Sequence, residues 1–193
     1  MKPAATKSQG VRGRLISAIG LCLLLLAGCA TARRSGSSPA ELAERLRGLS
    51  PSVDQREATL AAETAYAYSL ELARQYRAVR PAIWHNVLVN VGLRERGLCY
   101  QWADDLSGKL ESLHLRTLKV RRGVARLATR REHSSVVLTP PGQAFDPGIV
   151  LDAWRHSGHL YWCGVREDKY PWIEVEVIAE GEAQPAASIR NGH

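Results

Sequence analysis

Residues 99–138 read CYQWADDLSGKLESLHLRTLKVRRGVARLATRREHSSVVL, and the spacing of their apolar residues changes partway along. Cys99, Trp102, Ala103, Leu106, Leu110 and Leu113 recur at three- and four-residue intervals, the repeat of one helix face. From Leu115 onward Val and Leu come in short runs, over 115–128 and again over 135–138. The spacing predicts a helix over 99–113 followed by strands.

Reading outward from that change, Pro140-Pro141-Gly142 and Asp146-Pro147-Gly148 are turn signals, with short strand-like runs at 149–154 and 173–178. On the other side, 40–49 reads as a short helix. A long helix is expected over 53–79, where Leu60, Ala61, Thr64, Ala67, Tyr68 and Leu72 keep helical spacing. Pro81 then opens a helix over 82–93, with Trp84, Val87, Leu88 and Val91 on its apolar side. Helices first and strands second imply an α+β domain, with N-terminal helices packed on an antiparallel sheet.

The N-terminus is of another kind. Lys2, Lys7, Arg12 and Arg14 precede the mostly apolar run 15–27, which ends in Leu26-Ala27-Gly28-Cys29. A basic start, a short apolar core and small residues before a cut site make a secretory signal. The run falls short of the roughly 20 apolar residues a membrane-spanning helix needs. Its ending resembles the bacterial lipobox, which implies cleavage before Cys29 and lipidation of that residue. The expected organisation is a signal peptide at 1–28, a flexible tether at 29–39, one domain at 40–180 and a disordered tail at 181–193. Ala30 after the cysteine resembles lipoproteins sorted to the outer membrane. If the source is Gram-negative, the domain is expected there, facing the periplasm, with the lipid on Cys29 as its membrane contact.

Charge must be recounted on the mature chain. The full sequence carries +7, but four of its 26 basic residues precede Cys29, leaving 22 against 19 acidic ones, or +3. The arginines are scattered and not interleaved with aromatics, so no nucleic-acid partner is expected. The densest basic stretch, 121–131, reads as a solvated face, with contact to anionic lipid headgroups as the alternative. No cofactor or metal is called for; Asp152, His156 and His159 are too tightly spaced to make a convincing zinc set.

Four cysteines are present. Cys22 leaves with the signal and Cys29 takes the lipid, so Cys99 and Cys163 remain as thiols. A disulfide between them is one reading in an oxidising compartment. The other is a nucleophile: Cys99 opens a helix, where free N–H groups and the helix dipole favour a thiolate. A thiol nucleophile needs a base, and the base an orienting acceptor. His133 stands at the start of the 135–138 run. An antiparallel return through 149–154 would bring Asp152 beside it.

Gly97-Leu98-Cys99 through Leu106, then Glu132-His133 through Leu138, then Val150-Leu151-Asp152, resemble the transglutaminase-like (papain-like) cysteine peptidase superfamily: Cys at a helix start, His on a strand, Asp on the next strand, in that order. The resemblance spans 84–154. It implies a transglutaminase-like core and a thiol hydrolase or acyl transferase acting on peptide or amide bonds, with catalytic Cys99, His133 and Asp152. The Cys99 N–H would be one oxyanion donor, and Trp84, Asn86, Asn90 and Gln101 are candidates for the second. A peptide or protein substrate, with cell-wall peptide as one candidate, follows from the location. The competing reading is a non-catalytic envelope lipoprotein using the same scaffold for binding or assembly, with Cys99 bonded to Cys163.

Overall fold

A Ser-Pro pair starts the first helix of the computed structural model, which describes residues 38–176. Helix α1 (Pro39–Arg47) is capped by Ser38, whose hydroxyl accepts the Glu41 N–H at 3.2 Å, and Pro39 sits where no backbone donor is needed. Its Leu42 and Leu46 are buried against helix α2 (Gln55–Gln75). Asp54 caps α2 by accepting the Arg56 and Glu57 N–H groups. The inward stripe of α2 is small, with Ala58, Ala61, Ala62, Ala65 and Ser69 buried, so neighbouring elements approach its backbone closely. Helix α3 (Ala82–Asn90) and helix α4 (Cys99–Glu111) follow.

Five strands come next: β1 (Lys119–Ala125), β2 (His133–Thr139), β3 (Ile149–Asp152), β4 (Tyr161–Gly164) and β5 (Trp172–Val175). They form one antiparallel sheet in the order β4-β3-β2-β1-β5. The described residues are therefore α+β, four helices with a five-stranded antiparallel sheet. β2 lies at the centre and every one of its residues is buried. Alternate side chains serve the two faces. Val136 and Leu138 join Ile149, Leu151 and Trp162 in the large core shared with α1, α2 and Trp102, Leu106 and Leu110 of α4. Val137, with Ala125 and Val150, belongs to a smaller cluster closed by Phe145, Val165 and Trp172. His133 and Asp152 have the parity of this second face.

Several expectations are corrected. The long helix stops at Gln75 rather than 79, because Arg77 turns the chain at φ 49°. The 82–93 and 99–113 helices end at Asn90 and Glu111, and the 115–128 strand narrows to Lys119–Ala125, before Arg126 turns at φ 55°. The strand expected over 149–154 ends at Asp152. Strand β4 was not anticipated; it is four residues long and mixes aromatic, Cys and Gly, which gives no period to read. The largest correction is the orientation of α3. Its buried residues are Ala82 and His85, while Trp84 is 61 % exposed and Val87 and Val91 also face out. The inward side can carry a histidine because both ring nitrogens are satisfied: Nδ1 accepts the Val79 N–H at 3.4 Å, and Nε2 donates to the Arg96 carbonyl at 2.9 Å. The signal segment, Cys29, the tether up to residue 37 and the 181–193 tail lie outside the described residues. Among the described residues no helix is long and apolar enough to cross a membrane.

Candidate active site

The turn into α4 is held from several sides. Gln101 reaches back so that its Oε1 accepts the N–H groups of Gly97 (2.7 Å) and Leu98 (3.0 Å). The Trp102 indole N–H donates to the Gly97 carbonyl at 2.9 Å. Gly97 itself is obligatory: its φ is 128°, and a Cβ there would lie 2.1 Å from His85 Nε2. Arg96 pairs with Asp105 at 2.7 Å, and Arg122 of β1 pairs with Asp104, so the first turns of α4 are tied to the preceding loop and to the sheet. Cys99 is thereby fixed as the first residue of a 13-residue helix, partly exposed, with its thiol 3.8 Å from the Glu132 carbonyl. That carbonyl belongs to the residue before His133.

His133 and Asp152 are buried, 3 % and 1 % exposed, and His133 Nε2 donates to Asp152 Oδ2 at 2.7 Å. His133 Nδ1 is buried without a hydrogen-bond partner. The Cys99 thiol lies near enough to the ring to favour its protonated form. Burial alone would lower the His133 pKa, but the hydrogen bond to Asp152 and the nearby Cys99 outweigh it and raise the value to about 9. Burial would likewise raise Asp152, but its hydrogen bond and charge interaction with His133, followed by the charge of Arg155, hold the carboxyl below its ordinary value. The imidazole is also boxed by rings, with centroids of Trp154, Tyr170 and Trp172 at 4.7, 4.9 and 5.3 Å. Trp154 is held in turn by the Asn86 carboxamide oxygen at 3.0 Å.

Behind the pair lies a second layer that the sequence reading missed. The Arg155 N–H donates to Asp152 Oδ1 at 3.0 Å and its Nε to Oδ2 at 2.9 Å. The other end of the guanidinium makes a two-pronged contact with Asp168, at 3.1 and 2.6 Å. Asp168 also accepts the Trp172 indole N–H at 2.9 Å. Arg155 lies 3.9 Å above the Tyr161 ring. Burial would lower the arginine's pKa, but the Asp168 hydrogen bond and the two carboxylate charges raise it. The available signal was local: an Asp at the end of an apolar run, followed three residues later by Arg.

The structure thus brings Cys99, His133 and Asp152 together. The oxyanion candidates are dispersed. The oxygen of Gln101 serves as the helix cap, Asn86 holds Trp154, and Trp84 and Asn90 stand on the exposed face of α3. Tyr170 and Trp172 flank the imidazole. Cys163 is buried on β4 opposite Val150; it and Cys99 are both free thiols, not a disulfide. Burial pushes the Cys163 thiol up to about 11, which keeps it protonated and inert. No His, Cys, Asp or Glu group among the described residues is arranged to hold a metal ion.

An arrangement of this kind can perform nucleophilic chemistry. A partly exposed sulfur at a helix start, an imidazole with one free nitrogen and a carboxylate fixing the other are the parts it requires. No family model, no curated protein and no solved structure matches this chain.

Proposed function

We propose that the chain is a lipid-anchored envelope enzyme with a transglutaminase-like core, a thiol hydrolase or acyl transferase acting on peptide or amide bonds. One observation carries the reading: the thiol at the first residue of α4 beside a buried imidazole whose far nitrogen is bound by a buried carboxylate.

The chemistry follows from those positions. The Cys99 sulfur, as thiolate, attacks the substrate carbonyl carbon, and the carbonyl electron pair moves to oxygen. The Cys99 N–H, one of the donors that the start of a helix leaves without an intrahelical acceptor, faces the developing oxyanion. As the tetrahedral adduct collapses, the C–N bond breaks and the imidazolium gives its Nδ1 proton to the departing amine. The acyl group is left as a thioester on Cys99. Water or a second amine then attacks, Nδ1 takes its proton, and the C–S bond breaks to restore the thiolate. Asp152 keeps Nε2–H pointing away from the sulfur, so Nδ1 is the nitrogen in play. Arg155, after His133 itself, helps to keep Asp152 ionised.

The anchor rests on the 1–29 pattern, and cell-wall peptide is a substrate class consistent with that location. The test is amide cleavage or amine exchange on envelope peptides, including cross-linked wall peptides, by residues 30–193. The expected result is turnover that Cys99→Ala abolishes, with a thioester adduct on Cys99 seen by intact mass. Absence of both turnover and adduct across such a panel counts against the reading.

A further inference from the structure

Helix α3 presents a face that the site chemistry does not use. Ile83, Trp84, Val87 and Val91 are 60, 61, 45 and 62 % exposed and follow a helical spacing, and Leu93 extends the stripe. The nine residues of α3, AIWHNVLVN, include no acid and no lysine or arginine. A contiguous apolar face of this size on a soluble domain normally marks a contact surface. Its margins are mainly basic, with three arginines against the exposed Glu95 that follows Arg94. Arg77 and Arg80 precede the helix and Arg94 follows it, and Arg77 and Arg80 are exposed, with no carboxylate at ion-pair distance among the described residues.

We infer that α3 is a membrane-contact face: its apolar side chains enter the interfacial region of a bilayer and the arginines at its ends meet anionic headgroups. Three features select a lipid surface as the occupant. The exposed stripe carries a tryptophan, the side chain suited to the boundary between headgroups and acyl chains. Its flanks carry the charge that anionic lipid complements. The chain itself also brings a bilayer close, an argument that rests on the proposed anchor. Pro39, where α1 begins, is ten residues from Cys29, so even a fully extended tether holds the domain within roughly 35 Å of the lipid. Once the anchor has raised the local lipid concentration, a weak second contact is enough to orient the domain. The 121–131 stretch is the poorer candidate, because Arg121 is paired with Glu174 and Arg122 with Asp104. α3 also touches the candidate site through Asn86 and Trp154, so a bilayer on α3 would lie beside it.

The face is tested without the anchor. Residues 30–193, which hold every described element and lack Cys29, are floated with phosphatidylcholine vesicles with and without phosphatidylglycerol. Binding is expected to need phosphatidylglycerol, to weaken with salt, and to shift Trp emission to the blue. Val87→Ser with Val91→Ser is expected to reduce partitioning about tenfold or more, while Leu127→Ser, exposed elsewhere, leaves it unchanged. Thermal midpoints check that each variant is folded. No flotation, or flotation indifferent to the paired substitution, overturns the inference. So does a dimer in sedimentation equilibrium that the paired substitution dissolves, since a second copy would then be the occupant. Intact mass of the full chain separates this from the anchor reading: a lipidated Cys29 with no α3 binding sinks only the face, and an unmodified Cys29 with α3 binding sinks only the anchor.

Discussion

His133 Nε2 lies 2.7 Å from Asp152 Oδ2, although the ladder between their strands ends before either residue, at Val136 opposite Leu151. The two side chains share the face that also carries Val137 and Val150, so the carboxylate reaches along the sheet to the ring. Both residues are buried, and the charged form of each is sustained by the other.

That coupling sets a pH dependence. The His133 pKa in the folded protein, about 9, is above its ordinary value of about 6.5. The stabilisation it provides is complete below about 6.5 and is lost as pH rises through about 9. Asp152 has the opposite sign: its contribution is present above the ordinary carboxylate range and is lost as pH falls through its lowered value. Unfolding free energy is expected to fall between neutral pH and about 9, and an NMR titration of the His133 ring should have its midpoint near 9. In Cys99→Ala the sulfur's share of that shift is gone, and the midpoint should move down. A midpoint unchanged by this substitution would remove the thiol from the ring's surroundings.

Arg155 joins Asp152 to Asp168 in a nearly dry setting. Arg155→Met removes the cation shared by two buried carboxylates, leaving Asp152 with His133 and Asp168 with Trp172, and is expected to cost up to roughly 3–5 kcal/mol in urea unfolding. Arg155→Lys keeps the charge but not the planar fork that engages both acids, and should fall between Met and the native chain. In both variants Asp152 should titrate at higher pH, because the cation that helps hold it ionised is lost or misplaced.

Gly97 combines a left-handed φ with a neighbouring imidazole where a Cβ would stand. Gly97→Ala is expected to destabilise by roughly 2–4 kcal/mol, part of it backbone strain and part the clash with His85. In a His85→Ala background the same substitution should cost less, since only the strain remains. A double-mutant cycle showing no coupling would contradict the contact.

The α+β order was legible because the helical repeat around Leu106 gives way to short β-branched runs at one point in the chain. The Cys99, His133 and Asp152 juxtaposition was legible for the same reason: one residue opened a helix, one opened a strand, and the next strand ended on an acid that needed a partner. β4 was hidden because four residues of YWCG carry no alternation. The outward turn of α3 was hidden because apolar spacing marks a face without saying what covers it, and His85 found its partners in the Val79 and Arg96 backbone, which no side-chain pattern displays. Arg155 and Asp168 were missed because each looks like an ordinary surface charge until the fold buries them together.

The central claim is that Cys99 is a nucleophile activated by His133. Its most direct test is the rate of iodoacetamide alkylation of Cys99 in the folded domain at mildly acidic pH, mapped by mass spectrometry with Cys163 as the internal buried reference. The account predicts fast labelling of Cys99, protection of Cys163, and a slowing of about tenfold or more in His133→Ala. Labelling of Cys99 no faster than a simple thiol, and indifferent to His133→Ala, would contradict it.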